Sequence, residues 1–187
     1  RTSGDEREAP LMWNANYGGP MYSFQAYGKA PLMLSMLGGI VGDSAVQRAM
    51  SEYAKAWRFK HPSPWDYAFF MSNALKNHEA DLGWFWYIWL FTTDAVQGSI
   101  QQVVTAGRRS TVTVRQDGGM PSPVVLKVDS VTAIVTVPTN VWFDGRRSHK
   151  VALDFGGRAI TKITLDPFGR FPDRDVSDNV WPRAATP

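Results

Sequence analysis

The chain has 187 residues, 44% hydrophobic and 13% aromatic, enough to bury the core of one domain or two small ones. It has no cysteine, which excludes disulfides and thiolate metal sites, and its richest apolar run, residues 82–91, is too short to span a membrane. The formal charge of +3 is uneven: residues 1–98 hold 8 basic and 9 acidic side chains and residues 99–172 hold 10 and 5, yet the arginines are scattered outside any nucleic-acid motif.

Residues 1–20 begin with a polar, charged stretch that lacks the apolar core of a signal peptide and read as an extended segment. The lack of cysteine leaves the compartment of this bacterial-looking sequence open, with a secreted or periplasmic location ranked ahead of a cytoplasmic one. From residue 21 to residue 97 the apolar spacing is helical. A first helix is predicted over 24–40, with Pro31 near its start and Gly38-Gly39 at its end. A second is capped by Asp43 or Ser44, and Val46, Ala49, Met50, Tyr53 and Trp57 define its buried face. A third starts at Ser63-Pro64-Trp65-Asp66, a capping arrangement with proline at the first helical position, and buries Ala68, Phe69, Ser72 and Leu75. A fourth follows Asp81 and is apolar nearly all round, so it calls for enclosure by neighbouring helices or by a partner surface.

After Gly98 the period becomes two, with strands predicted at 100–105, 110–116, 124–128, 131–137, 151–155 and 160–165. Gly-rich turns between them fit a small sandwich over 98–168. Residues 169–187 read as an extended tail on the surface.

Three strings carry a resemblance. Tyr27-Gly28-Lys29-Ala30 with Leu34, Leu37 and Val41-Gly42, then Phe59 to Asp66, then Asp81 to Leu90, resemble in order and spacing the helices that follow the metal site of gluzincin aminopeptidases, the aminopeptidase N-like zinc metallopeptidases. Residues 112–124 and 166–181 are similar to the Ig-like domain of that family. The resemblance implies an α+β chain: the helical end of a thermolysin-like catalytic domain, then an Ig-like antiparallel β-sandwich. It also implies zinc-dependent removal of N-terminal residues from peptides, with Tyr27 as hydrogen-bond donor to the oxyanion.

The zinc motif H-E-x-x-H of that family is missing here. His61, His78 and His149 are the histidines, and His78-Glu79 continues as Ala80-Asp81-Leu82. The expectation is therefore a fragment or truncated relative with no cofactor of its own, zinc belonging to the parent family.

Gly42-Asp43-Ser44 is similar to the nucleophile string of some esterases, so a metal-independent esterase would recruit Ser44 with His61 or His78; a helix cap is the simpler account. Tyr27 and Lys29 would make a couple in which the ammonium lowers the phenol pKa, whereas a helix-face lysine in solvent is the simpler account. Trp57, Trp65, Trp84, Trp86 and Trp89 fall on predicted core faces and Trp13, Trp142 and Trp181 are freer. Asp173, Asp175 and Asp178 are potential calcium ligands that read better as solvated tail. The partners expected are a peptide or small ester substrate if the chain is active, or a second copy on an exposed helical face in a non-catalytic binding or assembly module. No nucleic acid and no membrane span are expected.

Overall fold

A computed structural model describes residues 7–17, 19–79 and 81–183. The chain divides after Asp94 into two compact units.

The first unit is helical. After two short 3₁₀ turns, Ala15–Tyr17 and Gly19–Met21, α1 (Tyr22–Phe24) runs through a π-turn, Gln25–Lys29, into α2 (Ala30–Val41). Gly38-Gly39 does not stop this helix. Burial of Leu37, Gly38 and Val41 carries it on to Gly42, whose φ of 91° breaks it while the Gly42 N–H donates to the Gly38 carbonyl. Gly42 is also the N-cap of α3 (Asp43–Trp57), so Asp43 and Ser44 sit inside the first turn, past the cap position. Asp43 there complements the positive end of the helix dipole.

The third helix starts as its sequence demands. At the head of α4 (Pro64–Leu75) the Ser63 hydroxyl accepts from the Asp66 N–H at 3.3 Å, and the Asp66 carboxylate accepts from the Ser63 N–H at 2.8 Å. The Ser63 hydroxyl, which donates to the same carboxylate at 2.6 Å, and then the Ser63 N–H hold the Asp66 carboxyl below the usual carboxylate range. Tyr53 of α3 packs edge-on against Tyr67 and Phe70 of α4, ring centroids 5.1 and 5.5 Å apart. Helix α4 buries Ala68, Met71 and Leu75, but Phe69 is 70% exposed and Trp65 50%, contrary to the core placement expected of both. The buried positions follow steps of three and four, and Trp65 and Phe69 form the neighbouring stripe. The last helix, α5 (Gly83–Phe91), is enclosed on one face only: Phe85, Trp86 and Trp89 are buried, while Tyr87 is 62% exposed.

The second unit consists of β1 (Gly98–Ala106), β2 (Arg109–Gln116), β3 (Val124–Val128), β4 (Ala133–Val137), β5 (Ser148–Asp154), β6 (Ile163–Leu165) and β7 (Val180–Trp181). Two antiparallel sheets form, ordered β1-β2-β5 and β4-β3-β6-β7. Alternation turns Ile100, Val112, Val114, Val151 and Leu153 of the first sheet against Val124, Leu126, Val128, Ile163 and Leu165 of the second. The chain is thus α+β, helices followed by a β-sandwich.

Three expectations fail in this unit. Trp142 is buried in the sandwich core, its Nε1 donating to the Ser122 carbonyl at 2.8 Å. The tail is not merely laid over the surface: after a 3₁₀ turn, Val176–Asp178, strand β7 pairs with β6. Asp173 is buried, not solvated. One of its carboxylate oxygens accepts from the Gly98 N–H and from Asn179 Nδ2, both at 3.1 Å, tying the tail to the start of β1.

Candidate functional site

Tyr27 lies in the middle of the π-turn, with its side chain 79% exposed. An i→i+5 turn inserts one extra residue into the helical ladder and redirects side chains locally, and such insertions are frequent at functional sites. Here it sends the flanking polar residues inward. Gln25 is buried and its side-chain amide donates to the Ala9 carbonyl. Lys29 is fully buried, its ammonium 3.1 Å from a Glu8 carboxylate oxygen and 3.4 Å from the Thr92 carbonyl that also accepts from it. Glu8 is equally sealed from solvent.

The helix-face lysine in solvent is therefore corrected. Lys29 pairs with Glu8, and the site is a latch in which the segment around Glu8 and Ala9 holds both ends of the turn that presents Tyr27. Gly28 closes the packing: a Cβ there would come within 2.7 Å of the Phe24 ring. A cavity of about 150 Å³ lies alongside, lined by Pro10, Trp13, Asn14, Tyr22 and Gln25 among others, and Tyr27 is not part of its wall.

The other candidates do not converge on Tyr27. Ser44 is exposed in the first turn of α3, His61 is exposed in the loop between α3 and α4, and His78 is exposed in the turn after α4. No side-chain hydrogen bond joins any two of them among the described residues. His149 is half-buried in β5, its ring edge-on to Trp142 with centroids 6.1 Å apart. Among the described residues no group of three or more histidines and acids is placed to hold a metal ion, so these side chains do not fit a zinc site. Nor is any helix among them long and apolar enough to cross a membrane.

Glu8 and Gln25 escaped the sequence reading. A usable signal existed: Lys29 stands directly before the apolar run Ala30-Pro31-Leu32-Met33-Leu34, and Gln25 lies four residues earlier on the same helical path. Their partners lie 21 and 16 residues away, beyond the reach of any local pattern.

Aminopeptidase A of Legionella pneumophila, solved in complex with aspartic acid, matches this chain with a TM-score of 0.58 at 12% identity, over 78% of this chain and 17% of that one. This chain shares the fold of that part of the aminopeptidase. The chain spans about a sixth of the aminopeptidase it matches, and the likeness at this identity concerns fold alone. No protein-family model and no curated protein matches the sequence.

Proposed function

We propose that the chain is a fragment or truncated relative of a zinc aminopeptidase of the gluzincin kind, with an Ig-like second unit, and that its contribution to peptide-bond hydrolysis is the hydroxyl of Tyr27. The observation that carries this reading is the presentation of Tyr27. Its phenol is open to solvent on a turn whose two polar flanks are buried and bonded, in a fold that is peptidase-like. A phenolic O–H held in this way donates a hydrogen bond to the oxygen that becomes negative as the scissile carbonyl is attacked. One preorganised donor of that kind is worth about 10²–10³ in rate.

The base and the zinc ligands of such a reaction would come from another segment of polypeptide. The purified chain should therefore turn over neither aminoacyl nor short-acyl ester reporters, with or without added zinc. Transplanting residues 21–97 into the matching part of the Legionella enzyme should retain peptidase activity that Tyr27→Phe lowers by about 10²-fold. Chelator-insensitive hydrolysis by the chain alone would overturn the reading in favour of an esterase. A chimaera active without regard to Tyr27 would remove the role given to that residue.

A further inference from the structure

The β unit has a hollow of its own, about 180 Å³, between the β2–β3 loop and the segment leading into β5; Gly118, Gly119, Pro121, Trp142, Arg146 and Arg147 are among its lining residues. The loop is held at both ends. The Asp117 N–H donates to the Gln97 carbonyl at 2.8 Å and the Met120 N–H to the Ala95 carbonyl at 3.2 Å. The buried Gln116 side chain braces it, accepting from the Gln97 N–H at 3.1 Å and donating to the Met120 carbonyl at 2.8 Å. Between these anchors the Gly118 and Gly119 N–H groups have no acceptor among the described residues.

Charge around the hollow is unbalanced, three guanidiniums standing against two carboxylates. Arg115 Nε donates to both oxygens of Asp117, at 2.8 and 2.7 Å, and Arg146 Nε donates to Asp144 at 2.6 Å. Arg147 is the remainder. Its Nη1 donates to the Gly118 carbonyl at 2.9 Å and, more loosely, to that of Asp117 at 3.5 Å, while its own carbonyl accepts from the Gln116 N–H at 2.9 Å. Those bonds fix the residue and leave its Nε and Nη2 donors without an acceptor among the described residues. That edge of a guanidinium receives a carboxylate side-on through two parallel hydrogen bonds.

The other walls indicate what carries the anion. Trp142 Nε1 is spent on the Ser122 carbonyl at 2.8 Å, so the indole, with Pro121, offers apolar surface. A hydrated inorganic anion gains nothing from it, whereas the carbon skeleton of an organic acid does. The volume lies below the roughly 300 Å³ at which sites for drug-sized ligands begin, which suits a small acid or the end of a chain.

We infer that this hollow binds an organic carboxylate, a small free acid or the C-terminus of a peptide, through the Nε–Nη2 edge of Arg147, with the Gly118 and Gly119 N–H groups as further donors. The test is amide NMR of the full chain titrated with N-acetylalanine, its amide, acetyl-trialanine and inorganic phosphate. The Gly118 and Gly119 resonances should shift saturably with N-acetylalanine and stay in place with the amide. Acetyl-trialanine acting at lower concentration gives the site to chain ends; equal or weaker action gives it to free acids. Arg147→Gln should raise the dissociation constant by about tenfold or more, the loss expected for a charge-assisted pair. Because Arg147 also holds the Gly118 carbonyl, a second variant spares that bond: Asp144→Asn releases Arg146 from its countercharge and should tighten binding. Arg158→Gln, at an exposed arginine of the same unit, should leave binding unchanged. The proposal is overturned by resonances that shift with neither acid, by an amide or phosphate that acts as strongly as N-acetylalanine, or by Arg147→Gln and Asp144→Asn chains that bind like wild type.

Discussion

Replacing Glu8 by glutamine keeps the shape of the latch and removes its charge. At an effective dielectric constant of about 20, unit charges 3.1 Å apart attract by roughly 5 kcal/mol, which repays only part of the several kcal/mol needed to take each ion out of water. The intact pair therefore adds no net stability. Glu8→Gln leaves the fully buried Lys29 ammonium with the Thr92 carbonyl at 3.4 Å and an amide in place of a carboxylate, and it should cost about 3–5 kcal/mol. Adding Lys29→Met to that variant removes the stranded charge and should restore most of the loss. The assay is urea denaturation followed by tryptophan fluorescence, since six of the eight tryptophans precede residue 95 and report on the helical unit. A Glu8→Gln cost below about 1 kcal/mol, or single changes that simply add, would refute the reasoning.

Four further outcomes follow from the geometry. Gly118→Ala would drive a Cβ into the Ala95 carbonyl and to 2.7 Å from the Gln97 nitrogen, both rigid backbone, and should destabilise the β unit by about 2 kcal/mol or more in thermal denaturation. Ser63→Ala removes half of the capping box and should cost about 1 kcal/mol by the same urea assay. Burial above all, and then the neighbouring Tyr53, pushes the Tyr67 phenol to about 12, so one of the six tyrosines should ionise only near that pH by ultraviolet absorbance, and Tyr67→Phe should abolish that step. Asp173 is raised above its ordinary 3.8, burial outweighing its hydrogen bonds, so the folded state binds its proton more tightly than the unfolded state. Its contribution is fully present below pH 3.8 and is lost as pH rises through the raised value; Asp173→Asn should flatten that part of the stability profile measured by denaturation at stepped pH.

Local grammar was readable wherever a few neighbouring residues decide the outcome. The capping box at Ser63 and Asp66, the buried face begun by Val46 and Ala49, and the alternation of Val112 and Val114 all rest on backbone donors or periodicity within a single element. The failures share a different cause. Gly38-Gly39 has low helix propensity, but packing around Leu37 and Val41 outweighs it. Trp65 and Phe69 have the composition of a core and the position of a rim, and only the placement of α5 distinguishes the two. Asp173 depends on Gly98, 75 residues away. Lys29 resembled a solvent-facing charge because burial of a cation is acceptable only with a partner, and Glu8 lies in a stretch whose composition reads as an unstructured start. At the candidate site, Tyr27 was legible through its string, whereas the groups that hold it were not.

That division bears on function. A π-turn gives up regular helical hydrogen bonding, and a buried ion pair adds little net stability, so neither device is explained by the need to fold. What they share is a place: both act on the five residues around Tyr27, from opposite ends, through Gln25 and Lys29. Buried polar networks of this kind, when satisfied, specify one geometry more than they lower its energy. A tyrosine that served only as a surface residue would need no such support, because an exposed side chain on an ordinary helical turn reaches solvent equally well. Such support fits the proposed role, in which the hydroxyl meets a reacting atom at a fixed place. On the function proposed above, these residues would place a donor, and the base and metal ligands would come from elsewhere. Activity, on this account, appears only when another polypeptide segment brings those groups to Tyr27.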